Sequence, residues 1–226
     1  MRNQRYEELT ATDLAEALAE TSLVYVPIGS LEFHGPHLPL GLDALHAAEF
    51  CRRVAGQTGG LVLPTTYWNA NGHVGWPGSL LVRERTFRAL VRDILRLLAE
   101  QGVRLVVMTT GHWPAKQGAT IAKLAREAMR TIPNAPRILV LDPFGCNPTD
   151  TDPGHAGKKE TSLMLALRPE LVHMQRLSEV ENAFDGIGED AVDGCAAFGR
   201  DYFDASVRNC VRLVRGALDE VAEPGV

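Results

Sequence analysis

A chain of 226 residues, 45% hydrophobic and 23% charged, can bury a substantial core and has the balance of an ordinary soluble globular protein. Its formal charge of −5 argues against a nucleic-acid surface, which needs a basic face. No run approaches the roughly 18 apolar residues that cross a bilayer, so no membrane partner is expected.

The N-terminus, MRNQRYEELTATDLAEALAE, lacks the apolar core of a secretory leader. SLVYVPIG (22–29) is β-branched and ends at Gly, as a buried strand does. The loop GSLEFHGPHLPLGLD (29–43) follows, too rich in Gly and Pro for a helix. A helix is expected over 44–59, a second strand over 60–69, and a strongly amphipathic helix over 84–102 with Phe87, Leu90, Val91, Ile94, Leu95 and Leu98 on one face. Basic residues gather at 83–96, but Glu and Asp interrupt them, as on a solvated helix face. VRLVVMTTGH (103–112) reads as a strand covered on both faces. A helix over 115–131, a strand over 137–143, and helices over 158–167 and 199–222 complete the series, with 144–157 and 180–198 as long loops.

Strands separated by helices predict βαβ units, hence an α/β fold: a three-layer α/β/α sandwich around a mostly parallel sheet. With no linker or repeat, residues 1–226 read as one domain. The four cysteines, Cys51, Cys146, Cys195 and Cys210, form no CxxC pair. Neither a zinc knuckle nor a disulfide framework is expected, and a reducing cytoplasm is the expected location.

The metal-loving residues follow the carboxyl ends of the predicted strands, at 29–43, 69–79, 110–117 and 142–160, the edge where parallel sheets bind ligands. Glu32 and His34 lie two apart, and in extended chain both side chains point to the same side. Asp43 is either a helix cap or a ligand. His37 reads as a hydrogen-bonded structural histidine, and His46 and His173 as surface or packing residues within helical patterns. His112 closes the clearest strand and is either incidental or part of a pocket. His73 either lines that pocket or belongs to a turn. His155 and Glu160 stand in GHAGKKETS, either a ligand-approaching turn or a helix start. There is no HExxH, P-loop or nucleophile-elbow triad. Carboxylate and imidazole donors without thiolates suit Zn²⁺ or Mn²⁺, with Fe²⁺ as a further option, at one or two ions per subunit.

PIGSLEFHGPHLPLGLD, NGHVGWPGSL, the GH at residue 112 and GHAGKKETSLMLALRPELV together resemble the creatininase (creatinine amidohydrolase) family across most of the chain. The resemblance implies an α/β/α fold assembled as a homo-oligomer, a hexamer in many members, with two divalent ions per site. Glu32, Asp43 and His112 then correspond to the ligands of one ion, and His34 with a bridging Asp43 to those of the other. His155 corresponds to the catalytic histidine that shuttles a proton, and Glu160 to the carboxylate beside it. One departure is that Pro114 stands where a ligating Glu is expected, so the second ion must borrow Glu160 or water. Another is Thr110 in place of the usual Asn. Creatinine itself is therefore not the expected substrate, and Trp113, Lys116 and Gln117 would line a differently shaped pocket.

The expected activity is that of a metal-dependent hydrolase in which activated water attacks the carbonyl of a small, cyclic, amide-type substrate. Ring opening of a cyclic ketone or diketone by C–C cleavage is the alternative, and a non-catalytic metal- or ligand-binding member is a third reading.

Overall fold

A computed structural model of the chain describes residues 4–112, 115–146 and 154–222. Four parallel strands, β1 (Leu23–Ile28), β2 (Leu61–Val62), β3 (Leu105–Thr110) and β4 (Arg137–Leu141), form one sheet in the order β2-β1-β3-β4. The helices are α1 (Ala11–Glu20), α2 (Leu42–Thr58), α3 (Glu84–Glu100), α4 (Ala115–Thr131), α5 (Lys158–Leu167), α6 (Arg176–Glu179) and α7 (Ala196–Ala222).

Both sheet faces are covered, which makes the sandwich three-layered. Val24, Val26 and Ile28 of β1 and Val106 and Met108 of β3 pack with Ala17 of α1, Phe87, Val91 and Leu95 of α3, and Ile121 and Leu124 of α4. The alternate residues, Leu23, Tyr25, Leu105 and Val107, pack with Phe50 and Val54 of α2, Leu163 of α5 and Phe203 and Val207 of α7. The period-2 alternation is thus real, though hidden in sequence because both faces are apolar. Each fully buried Phe, Val or Leu stabilises the fold by about 1.5–3 kcal/mol. Leu90 sits at the edge of the α3 stripe, 36% exposed.

The predicted elements recur with small boundary shifts except the second strand, and helices α1 and α6 are additions to them. The strand expected over 60–69 shrinks to Leu61–Val62 because Pro64 has no N–H for the ladder. The chain rejoins β1 only at a single bridge between Ile28 and Thr66. Helix α1 was not anticipated. Its capping box was legible: Thr10 Oγ1 accepts the Asp13 N–H, and the Asp13 carboxylate accepts the Thr10 N–H. His173 lies in a turn outside any helix, whereas His46 is buried in α2 against Phe50, Phe144 and Phe203. No cysteine pair was expected, yet the Sγ atoms of Cys146 and Cys210 are 2.8 Å apart. Among the described residues no helix is long and apolar enough to cross a membrane.

This topology makes a crevice. The chain leaves β1 for α2 on one face and β3 for α4 on the other, so β1 and β3 part at their carboxyl ends, where open α/β sheets bind ligands. Gly29 and Gly111 follow these two strands and let the start of α2 press into the gap. A Cβ on Gly29 would lie 2.2 Å from Ala44 Cα, and one on Gly111 2.1 Å from the Asp43 carbonyl oxygen. Neither obstacle can rotate away, since both are helix backbone. Gly111→Ala is therefore expected to destabilise the fold by at least about 3 kcal/mol, the upper end for overpacking. Chemical denaturation measures it, and a wild-type midpoint would contradict the packing.

Candidate metal centre

Strand ends and helix starts deliver the polar residues. The loop after β1 brings Glu32 and His34, the first turn of α2 brings Asp43, and the turn after β3 brings His112. His155 precedes α5, and Glu160 lies in its first turn. Glu32, His34, Asp43, His112 and Glu160 are all at most 6% exposed.

Two groups form around one carboxylate. Glu32, Asp43 and His112 bring ligand-type atoms within 4.8 Å of one another, as do His34, Asp43 and Glu160, and Asp43 belongs to both. His112 Nδ1 lies 2.7 Å from Glu32 Oε2 and 3.1 Å from Asp43 Oδ2. His34 Nε2 lies 3.2 Å from Asp43 Oδ1 and 3.9 Å from Glu160 Oε2. A third grouping, Glu32, His34 and His155, meets the same distance.

The outer nitrogens set the tautomers. His112 Nε2–H donates to the Asn71 carbonyl at 2.8 Å, and His34 Nδ1–H donates to the Glu32 carbonyl at 3.0 Å. Each histidine therefore turns its other nitrogen towards carboxylate oxygens. Glu32 Oε2, His34 Nε2 and Asp43 Oδ1 are buried without an aligned hydrogen bond despite their short contacts. Buried acceptors left unpaired cost about 1–3 kcal/mol each, and a lone pair facing an anion is repulsive. Both problems vanish when a cation lies between them, so the donor set fits a divalent metal ion.

The electrostatics agree. Burial alone lowers a histidine's pKa, but the carboxylates outweigh it: Asp43 and Glu160 push His34 up to about 9, and Asp43 and Glu32 push His112 up to about 10. The two imidazoles in turn hold Asp43 far below the carboxylate range against its burial. Without a metal, two protons supply the positive charge the cluster demands. Burial pushes Glu160 up to about 7, although its Oε2 accepts the Ala156 N–H at 2.6 Å. Burial first, then the neighbouring His34 cation, push His155 down to about 4. Its Nε2–H donates to the Phe33 carbonyl at 2.7 Å, leaving Nδ1 as a base.

The alternatives left open by the sequence now separate. Asp43 is not a cap, because Gly41 is the N-cap of α2. His37 is fully buried against Thr161 Oγ1 at 3.0 Å and joins neither group. His73 belongs with the cluster: its N–H and Nδ1 lie 2.6 and 2.9 Å from Glu32 Oε1, and its ring stacks on His155 at 3.9 Å. Gly72, at φ +127°, lies so close that a Cβ would meet Glu32 Oε1 at 2.5 Å. Ser30, unremarked in the sequence, donates its hydroxyl to Asp43 Oδ2. Thr110 Oγ1 accepts the His112 N–H at 3.0 Å, shaping the turn that carries the imidazole.

Gln117 does not line a pocket. It is fully buried, bonding Asn69 and, at 2.9 Å, Asn71, whose carbonyl holds His112. Lys116 points to Glu84 at 3.5 Å, 71% exposed. Trp113 and Pro114, expected near the pocket, lie outside the described residues. Gln117→Leu should cost about 1–3 kcal/mol by leaving buried amides unpaired, measurable by denaturant unfolding. An unchanged midpoint would mean that the brace is dispensable.

Comparison with known proteins bears on this geometry. Residues 7–214 match the family model Creatininase, described as creatinine amidohydrolase. A creatinine amidohydrolase of Pseudomonas putida is 31% identical over 188 residues, covering 72% of this chain and 71% of its own. A 3-dehydro-scyllo-inosose hydrolase of Thermotoga maritima (strain ATCC 43589 / DSM 3109 / JCM 10099 / NBRC 100826 / MSB8) is 26% identical, covering 78% of this chain and 60% of its own. A mycofactocin precursor peptide peptidase of Mycobacterium ulcerans (strain Agy99) is 33% identical, covering 69% and 62%. The chain thus spans about three fifths of the length of the last two. A crystal structure of creatinine amidohydrolase superposes with a TM-score of 0.83 at 24% identity, covering 95% of this chain and 97% of that one. Creatininase structures described as Mn and as Zn-Zn type give the same TM-score.

Proposed function

This chain belongs to the creatininase family of hydrolases, and from that premise we propose that it is a divalent-metal-dependent amidohydrolase acting on a small, cyclic, amide-type substrate. On this reading residues 1–226 act as one catalytic unit. Glu32, Asp43 and His112 would hold one ion, and His34, Asp43 and Glu160 the other, Asp43 being common to both groups. The observation that carries the proposal is the pair of histidines whose outer N–H groups are spent on backbone carbonyls while their inner nitrogens face the same buried carboxylate. Oxygen and nitrogen donors without thiolate favour Zn²⁺ or Mn²⁺. Glu160 fills the role that Pro114 cannot.

A cation there supplies Lewis acidity, polarising a carbonyl and lowering the pKa of water from about 15.7 towards about 7. The chain does the rest. His155 is anchored through Nε2–H to the Phe33 carbonyl and kept neutral by burial. Its Nδ1 takes a proton from the attacking water and returns it to the departing nitrogen, as a general base and then acid. His73, bonded to Glu32 and stacked on His155, fixes the ring planes of that pair.

Elemental analysis and chelation test the reading. Purified protein should contain divalent metal, and chelation should abolish hydrolysis across a panel of lactams, formamides and cyclic ketones. Turnover only on the ketones would favour C–C cleavage, and retained metal without any turnover would favour a binding protein. Chelation should also change how stability depends on pH. With folded pKa values near 9 and 10 for His34 and His112, against about 6.5 unfolded, the metal-free fold holds protons that the unfolded chain releases. Its stability should therefore fall as pH rises from about 7 to about 8.5, below the range where the buried thiols contribute. The metal-loaded form should show no such fall, and thermal midpoints across that range check it.

A further inference from the structure

Cys146 ends the turn after β4, and Cys210 lies in the middle of α7, 64 residues further on. We propose that they form a redox-active pair: a hydroperoxide oxidises Cys146, and Cys210 then closes a reversible disulfide that ties the turn after β4 to α7. This goes beyond the hydrolase reading and does not rest on it, because neither thiol belongs to the metal centre.

The geometry is already close to that of the bond. The sulfurs are 2.8 Å apart, with the Cys210 S–H donating to Cys146 Sγ. A disulfide is about 2.05 Å long, so a further approach of about 0.8 Å suffices. Helix α7 also grips the turn on either side of the thiols. Asn209 Nδ2–H donates to the Cys146 carbonyl at 2.7 Å, and the Tyr202 hydroxyl to the Phe144 carbonyl at 3.3 Å. The backbone that would carry the crosslink is therefore held before the bond forms.

Accessibility divides the roles. Cys210 is fully buried, whereas Cys146 is half-buried and opens on a surface recess of about 510 Å³ whose walls include Asn209, Arg212 and Leu213. The S–H donated by Cys210 lowers the pKa of Cys146, and that contact together with burial raises the pKa of Cys210. Cys146 is thus the thiolate nucleophile and Cys210 the resolving thiol.

The steps balance. The Cys146 thiolate attacks a peroxide oxygen, the O–O bond breaks, and hydroxide leaves, giving a sulfenic acid. Cys210 sulfur attacks the sulfenic sulfur, the S–O bond breaks, and the departing hydroxide takes the Cys210 proton as water. Two thiols and one hydrogen peroxide thereby become one disulfide and two waters. An external thiol entering by the recess reverses the reaction by attacking Cys146.

The full chain carrying Cys195→Ser, which removes the exposed competing thiol, is treated with hydrogen peroxide and alkylated under denaturing conditions. Titratable thiols should fall from three to one, with a Cys146–Cys210 linked peptide by mass spectrometry, restored by dithiothreitol and with bound metal unchanged. In that background Cys210→Ser should let dimedone trap Cys146 as its sulfenic acid. Irreversible oxidation of Cys146 with Cys210 still a free thiol would overturn the proposal. So would a crosslink between two chains rather than within one.

Discussion

Asp43→Ala is expected to strip the protein of both ions at once. Asp43 is the one residue common to both ligand groups, with one oxygen 3.1 Å from His112 Nδ1 and the other 3.2 Å from His34 Nε2. Loss of an outer-shell partner alone typically costs 10–100-fold in metal affinity. Loss of a bridging ligand should cost more than about 100-fold for each ion, and turnover should vanish with them. His34→Ala touches only one of the two groups that share Asp43 and should remove about half the metal. The comparison is clean because the backbone of Asp43, not its side chain, packs against Gly111. Alanine also suits the first turn of α2. Asp43→Asn, equal in volume, should lose at least one ion, since an amide oxygen can still serve one ion but the amide nitrogen offers no lone pair to a second. Metal counted by elemental analysis decides the point: equal content in wild type and Asp43→Ala would end the bridging assignment.

His155→Ala should do the opposite, leaving metal content intact while slowing turnover by about 10²–10⁴-fold, the usual worth of a positioned acid–base group. Its ring is tied to the Phe33 carbonyl and stacked on His73, so its role is separable from the ligand set. His155→Gln is the sharper probe. A glutamine amide can still donate to the Phe33 carbonyl, but it cannot carry a proton back and forth. If glutamine restores turnover, the residue positions rather than transfers. If alanine loses metal, His155 is a ligand, as its place in the third grouping would allow. Burial is the main cause that pushes His155 down to about 4, so it remains a free base across the neutral range. The acid limb of the wild-type rate profile should accordingly lie well below the ordinary histidine value of about 6.5.

How much of this was legible depended on the range of the interactions involved. Helices α4 and α5 fall where the sequence places them, because apolar periodicity and terminal Gly are local signals. The second strand was overdrawn because a β-rich composition hides what a single Pro64 does to a ladder. The cap on α1 was present in Thr10 and Asp13 but unread. For the site, Glu32, His34, Asp43, His112 and Glu160 stood out as candidates by type and by their places after strand ends, and the family resemblance supplied their roles. His73 remained ambiguous because nothing in NGHVG says that its loop folds back over Glu32. Ser30 carried no signal, and Gln117 read as pocket lining instead of a brace, since their partners lie 13 and 48 residues away.

The sequence by itself determined the layer architecture, the edge of the sheet on which the chemistry gathers and the donor types available there. Those follow from periodicity, strand–helix alternation and side-chain chemistry, all properties of short segments. Only the tertiary structure decided that Asp43 stands between two histidines and is not a cap. It alone joined His73 to the site, set Gln117 behind it as a brace and brought Cys146 against Cys210. Each depends on a close approach between segments distant in the chain, made by β1 and β3 parting to admit the start of α2 or by α7 crossing the turn after β4. Local patterning sets which face of an element is buried, but not which distant residue will meet it there.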